Sequence, residues 1–208
     1  MEQRTEDWFA ERLGKLTASR MAAAMSYVKS GDSSAARKDA ILEIALERIT
    51  KTNQGPDLSR VSAVQWGVEQ EPFAKEAISI ELGLLGDDVG FVPHPTISML
   101  GASPDWVMED GRPVEIKCPT SKTHFLYLKE SKVPKDYIPQ MALQCLCLGV
   151  ESGTFASFDP RFPEHLRLFV CEFKPGKEYL KQVEFEAIQF LEEVDEIVKE
   201  MENLKCHQ

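Results

Sequence analysis

The sequence is poor in the features that staple a small chain together or anchor it in a membrane. Its five cysteines, Cys118, Cys145, Cys147, Cys171 and Cys206, are odd in number, form no C-x-x-C pair and have no histidine at metal-finger spacing, which argues against structural zinc. The longest uncharged apolar run, residues 137–150, contains Pro139, Gln140 and Gln144 and is too short to cross a bilayer. Met1-Glu2-Gln3-Arg4 opens with charge and lacks the apolar run of a signal peptide, so the expectation is a soluble, cytoplasmic protein with reduced thiols. Positive charge is also scarce. Against 34 Asp and Glu there are 24 Lys and Arg, a net −10, which excludes a uniformly basic nucleic-acid coat. Neither an internal repeat nor a low-complexity segment is present. What remains is 208 residues, 43% of them hydrophobic, enough for one domain with a real core.

The periodicity predicts a mixed α/β chain. Ile41, Leu42, Ile44, Ala45 and Ile49 recur at helical spacing over residues 35–51. A second helix is expected over 63–82, with Trp66, Phe73, Ala74, Ala77 and Ile78 on its inner side and Pro72 kinking or interrupting it. Strands follow at 90–94, 98–108 and 113–117, the last two joined by Glu109-Asp110-Gly111-Arg112. Helices at 122–130 and 137–148, the latter closed by Gly149, precede strands at 154–159 and 166–173. A long acidic helix over 177–204 closes the chain, with Leu180, Val183, Ile188, Leu191, Val194, Ile197 and Val198 as its apolar stripe.

The chemistry is concentrated in Ser103-Pro104-Asp105 and Glu115-Ile116-Lys117. Alternation along a strand places Glu115 and Lys117 on one face and Ile116 on the other. If the preceding strand pairs with this one as a hairpin, Asp105 comes alongside, and two carboxylates and an ammonium converge. Such a carboxylate pair suits a hard divalent cation, with the Ile116 carbonyl as a further ligand. Taken by themselves, the same residues are also what a surface ion pair looks like. Of the histidines only His124 lies near this stretch, and it is expected at the surface or on a phosphate.

These residues match the Pro-Asp…Glu-x-Lys signature of restriction-endonuclease-like nucleases, and more closely the chain resembles the lambda exonuclease and YqaJ-type phage recombination family. The matching blocks are Trp8 with Arg12-Leu13-Gly14 and Leu16-Thr17-Ala18-Ser19, Trp66-Gly67 with Glu71, Ser103-Pro104-Asp105, Glu115-Ile116-Lys117-Cys118-Pro119, Tyr137 with Gln140, and Phe158-Asp159-Pro160-Arg161. The resemblance implies a restriction-endonuclease-like α/β core, a central mixed β-sheet flanked by helices. It also implies one nuclease domain over 1–208: a helical part at 1–87 contributing a phosphate pocket, a core at 88–175, and the terminal helix.

By the same resemblance Asp105, Glu115 and the Ile116 carbonyl hold two Mg²⁺ ions, for which Mn²⁺ substitutes. Glu71 completes the metal site, often through water in the family pattern. Lys117 supports the attacking water and Gln140 reaches the site, with Gln144 one helical turn on as a neighbour. Arg12, Ser19 and Ser103 correspond to a pocket for a 5′-phosphate, a task suited to a guanidinium fork and hydroxyls; Ser19 by itself also reads as a helix N-cap. Lys29 and Val64 fall where the family contacts or wedges apart the duplex. The implied activity is Mg²⁺-dependent, processive 5′-to-3′ digestion of double-stranded DNA, leaving a 3′ strand for phage-type recombination. The implied partners are a homotrimeric ring and a single-strand annealing protein, in a bacterial host carrying a phage or prophage. A structure-specific endonuclease of the same superfamily, and a non-catalytic DNA-binding or docking module, are the alternatives. Charge distribution agrees with DNA binding near the motif. Residues 112–135 hold six basic and two acidic side chains, whereas 177–205 hold nine acidic and four basic.

Overall fold

The computed structural model describes residues 3–56 and 60–204; Cys206 and His207 lie outside them. A short helix α1 (Glu6–Arg12) leads into β1 (Leu16–Thr17), α2 (Met21–Ala24), α3 (Ala35–Thr50) and α4 (Ser62–Leu82). Six strands and two helices follow: β2 (Gly86–Asp87), β3 (Val92–Pro93), β4 (Leu100–Ala102), β5 (Trp106–Met108), β6 (Pro113–Lys117), α5 (Ser121–Glu130), α6 (Ile138–Leu148) and β7 (Gly153–Phe158). The chain ends with β8 (Leu168–Phe173) and α7 (Lys177–Leu204). None of the described helices is long and apolar enough to cross a membrane.

Two mixed sheets result. The larger runs β2-β5-β6-β7-β8, with only β6 and β7 parallel, and the smaller runs β1-β4-β3. Residues 98–108 are therefore not one strand. Pro104 has no N–H for a ladder, so pairing stops at Ala102, and the chain crosses from the small sheet to the large one before pairing resumes at Trp106.

The larger sheet is covered on both faces. Ala74 and Ile78 of α4 meet Trp106, Val114, Ile116, Ala156 and Phe158 on one side. On the other, Phe155 joins Met141 and Leu143 of α6 and Phe190 and Val194 of α7. Helix α4 runs through Pro72 without interruption. The carbonyl that Pro72 leaves without a helical donor is that of Val68, a residue on the exposed side of the helix. Phe73, expected inside, is 58% exposed because the buried line is Ala74 and Ile78. Leu42, Ile49 and Ile188 likewise face outward, and on α7 the buried positions are Val183, Ala187, Phe190, Leu191 and Val194.

Several polar side chains are buried, His124 and Arg37 among them. His124 is inaccessible to solvent rather than at the surface: Nε2 donates to the Leu166 carbonyl at 2.9 Å and Nδ1 pairs with the Ser157 hydroxyl at 2.7 Å, which ties α5 to β7. Arg37, 1% exposed, bonds the Ala24 carbonyl and Glu193, with its guanidinium over the rings of Tyr27 and Phe190. Arg37→Ala leaves a cavity and an unpaired carboxylate where α2, α3 and α7 meet, and is expected to cost about 3 kcal/mol. Glu193→Gln keeps a hydrogen-bond acceptor and the packing but takes the counter-charge from the buried guanidinium, and is expected to cost less, about 1–2 kcal/mol. Thermal unfolding separates the two; equal shifts would contradict this account of Arg37.

Candidate active site

The corner between β4 and β5 is Ser103-Pro104-Asp105, and the N-terminal arm fixes it. Gln3 Nε2 donates to the carbonyls of Pro104 at 2.7 Å and Val89 at 2.8 Å. Trp8 Nε1 and Arg12 Nη1 both donate to Ser103 Oγ at 3.0 Å. From the other side the backbone N–H of Ile116 donates to Asp105 Oδ2 at 2.8 Å, so the carboxylate is bound to the strand that carries its partners.

Glu115 and Lys117 share the face of β6 that looks toward α6, because Glu115 lies in register with Phe155, a residue of that core. Glu115 is fully buried and both its oxygens are held from above. Gln140 Nε2 donates to Oε1 at 2.7 Å and Gln144 Nε2 to Oε2 at 2.6 Å. Lys117 Nζ bonds Glu115 Oε1 and lies 3.7 Å from Asp105 Oδ2 and 5.2 Å from the Tyr137 ring centre. Gln144, expected only as a neighbour of Gln140, therefore grips the same carboxylate as firmly as Gln140 does. Its own Oε1 is buried without a partner.

Crowding sets the protonation states. Burial, then the charge on Glu115, pushes Asp105 up to about 7. Burial works against the charge on Lys117, yet Glu115 and Asp105 together outweigh it and raise its pKa, so the ammonium stays protonated. Burial, then Glu71 and Asp105, pushes the Cys118 thiol up to about 12, which leaves it a poor nucleophile.

Asp105, Lys117 and Cys118 line an open cleft of about 560 Å³, shared with Glu71, Trp66 and Arg161, with Glu115 buried behind them. Glu71 approaches from α4, on the opposite face of the sheet, and is held by Arg4 at 3.1 Å and Lys75 at 2.7 Å. Among the described residues no three His, Cys, Asp or Glu side chains form a ready-made metal cluster. Val64 is exposed and lines the cleft. Lys29 is exposed in the turn after α2, whose Tyr27 hydroxyl donates to Glu186 of α7, and is not among the residues lining the cleft.

A second cluster adjoins the corner through Ser103. Arg12 reaches Ser103 Oγ and, at 3.5 Å, Ser19 Oγ, with its guanidinium 4.2 Å from the Trp8 ring centre. Ser19 lies in the 3₁₀ turn Ala18–Arg20 and caps no helix; Arg20 occupies the N-cap position of α2. Buried Glu47 is taken up by both Arg20 nitrogens, at 3.1 and 2.6 Å, and by the Gly14 N–H at 2.9 Å. Among the described residues Arg12 thus has hydroxyl partners and no carboxylate. Burial and the neighbouring Arg20 lower its pKa to about 10, the mark of a cation short of an anion.

The model of the YqaJ-like viral recombinase domain matches residues 7–151. The chain belongs to this family. This YqaJ-family chain is similar in structure to an alkaline exonuclease, LHK-Exo, from Laribacter hongkongensis, with a TM-score of 0.89 and 34% identity over 98% of this chain and 99% of that one. The same figures hold for the structure of LHK-Exo in complex with dAMP. A phage-related exonuclease from Haemophilus somnus 129PT shares the fold, with a TM-score of 0.69 at 13% identity over 90% and 96% of the two chains. No curated protein sequence matches the chain. The sequence reading of the YqaJ-family site missed Gln3, Trp8 as a donor to Ser103, the Arg20–Glu47 pair and Arg161 as a wall of the cleft. Trp8 and Arg161 do fall inside matching blocks, but Gln3 carries no signal of its own.

Proposed function

We propose that the protein is a metal-dependent exonuclease that processively removes nucleotides from the 5′-phosphorylated end of double-stranded DNA, leaving a 3′ strand for phage-type recombination. The observation that carries this is the convergence of Asp105, Glu115 and Lys117 at the edge of one cleft, near an arginine that among the described residues has hydroxyl partners and no carboxylate. The donor set fits a hard divalent cation. Partial burial and the charge on Glu115 together raise the Asp105 pKa, and Mg²⁺ asks for one or two carboxylates plus water and phosphate. Asp105, Glu115 and the Ile116 carbonyl would hold Mg²⁺ or Mn²⁺, with Glu71 reached through water. Two bound ions would polarise the scissile phosphate, lower the pKa of the attacking water and stabilise the leaving oxygen.

The chain's own groups do the positioning. Gln140 and Gln144 fix the Glu115 carboxylate. Lys117, held protonated, donates to the attacking water or a phosphate oxygen and is not the base. Arg12, Ser19 and Ser103 take the terminal phosphate, and Val64 and Lys29 meet the duplex. The dAMP bound to the similar LHK-Exo supports a nucleotide-sized product site. On this reading the molecule works as a homotrimeric ring with the basic surface around the site turned inward, beside a single-strand annealing protein. Sedimentation as a monomer that releases DNA after each cut would remove the ring and the processivity. The main test is a time course on end-labelled duplexes bearing 5′-phosphate or 5′-hydroxyl, and on a closed circle, with and without Mg²⁺. Cutting of the circle would favour an endonuclease instead.

Two further results are expected. Below pH 7 Asp105 holds a proton that the cation must displace, so apparent Mg²⁺ affinity should rise about tenfold per pH unit up to about 7 and flatten above it. In the metal-free protein the sign is opposite. Asp105 binds its proton more tightly folded than unfolded, so its contribution to stability falls as pH rises from about 4 to about 7. Thermal-shift titrations from pH 5.5 to 8.5 read both, and a flat Mg²⁺ profile would show that Asp105 is not a ligand. Gln144→Met should lower activity roughly tenfold, because the Glu115 carboxylate loses one of its anchors. Stability should fall by about 1–3 kcal/mol, because a buried carboxylate oxygen loses its donor, offset in part by removal of the Gln144 oxygen that has no partner. Unchanged activity per folded molecule would refute this role.

A further inference from the structure

Arg161 lines the cleft beside Trp66 and Pro119 and is built as a fixed donor. It follows β7, and its Nε and Nη2 grip the two oxygens of Asp159 at 2.7 and 3.0 Å. Asp159 itself is fully buried. Nη2 also donates to the Pro119 carbonyl at 3.1 Å, two residues beyond Lys117. The guanidinium plane sits 4.7 Å from the centre of the Trp66 ring. Three of its five N–H groups are therefore used to hold the fork still. The two on Nη1 have no protein partner among the described residues, on a side chain that is 49% exposed and lines the cleft.

A surface arginine serving only to neutralise Asp159 has no need of an aromatic platform or of the Pro119 carbonyl. Immobilising a guanidinium in advance reduces the ordering cost of its next hydrogen bond. Contacts link three groups in order: Arg12 meets Ser103, two residues before Asp105; Asp105 lies 3.7 Å from Lys117; and Pro119, two residues beyond Lys117, accepts from Arg161. If the first group takes the terminal phosphate and the second the scissile one, the third meets the next phosphate on the same strand.

We infer that Arg161, braced by Asp159 and Trp66, binds the backbone phosphate immediately 3′ of the scissile one and so sets the register of the digested strand. The inference rests on the exonuclease reading above. Its role is positioning, so it should act on binding more than on turnover.

The test compares wild type, Arg161→Ala and Arg161→Lys on a duplex with a single uncharged methylphosphonate at that phosphate and on the unmodified duplex. Arg161→Lys keeps an ion pair with Asp159 but loses the Nη1 donors and the flat stack, and covers the case in which the alanine variant is unstable. Both variants should raise KM roughly tenfold, the loss of a charge-assisted hydrogen bond, with kcat nearly unchanged. Without metal, the slope of log affinity for DNA against log salt should fall by about 0.9 for the alanine variant. The methylphosphonate should slow wild type and leave both variants no worse than they already are. Unchanged KM and salt slope, or a full methylphosphonate penalty in both variants, would overturn the assignment. Failure of wild type to digest the unmodified duplex with Mg²⁺ would instead remove the exonuclease reading, and this inference with it.

Discussion

Glu115→Gln is expected to reduce Mg²⁺-dependent DNA hydrolysis by at least about a thousandfold, with the fold intact. The carboxylate is fully buried, gripped by Gln140 and Gln144, and bonded to Lys117. Nothing solvent-exposed can replace it. A cation held by two carboxylates supplies several kcal/mol of transition-state stabilisation, and each 1.4 kcal/mol is a factor of ten in rate. Neutralising one of the two carboxylates removes most of that. Glutamine fills the same volume, so packing is kept, and with the Glu115 charge gone the pKa of Asp105 should fall from about 7. The measurement is single-turnover digestion across a Mg²⁺ titration, with thermal unfolding as the check on folding. Near-wild-type hydrolysis in a folded variant would eliminate the proposed mechanism.

Arg12→Ala should abolish discrimination between 5′-phosphate and 5′-hydroxyl ends. Wild type is expected to prefer the phosphorylated end by roughly ten- to a hundredfold, the range of a charge-assisted hydrogen bond. The variant should digest both ends at the slow hydroxyl rate. Glu47 is committed to Arg20 and the Gly14 N–H, whereas Arg12 meets only Ser103 and Ser19 among the described residues. An anion arriving there relieves the repulsion from Arg20, so binding energy is released where the strand end must sit. Competition assays with the two end types decide it; an undiminished phosphate preference in Arg12→Ala would place the end elsewhere.

Much of this site was legible without coordinates, for reasons that differ from residue to residue. Glu115 and Lys117 share a face because strand alternation has period two, and Asp105 follows because a short hairpin returns the chain to its own neighbour. Gln140 and Gln144 share a face because they are four apart on a helix. What alternation did not show was that residues 98–108 change sheets at Pro104, since the residues on both sides read as strand and only pairing partners distant in sequence reveal the break. His124 illustrates the same limit. A polar ring in a polar stretch reads as exposed, yet the Ser157 hydroxyl and the Leu166 carbonyl, 33 and 42 residues away, satisfy both nitrogens and let it be buried.

The amino-acid order thus determined the mixed α/β class, the terminal helix over Lys177–Leu204 as read, and the local pairing of two carboxylates with a lysine. These depend on interactions a few residues long. The tertiary structure alone decided that the N-terminal arm clamps Ser103 and Pro104, that Gln144 grips Glu115 from above, and that Arg161 lines the cleft beside Trp66. Each of these contacts joins segments about 30 to 100 residues apart. Their energy comes from burial and hydrogen bonds that exist only once two sheets and three helices have packed.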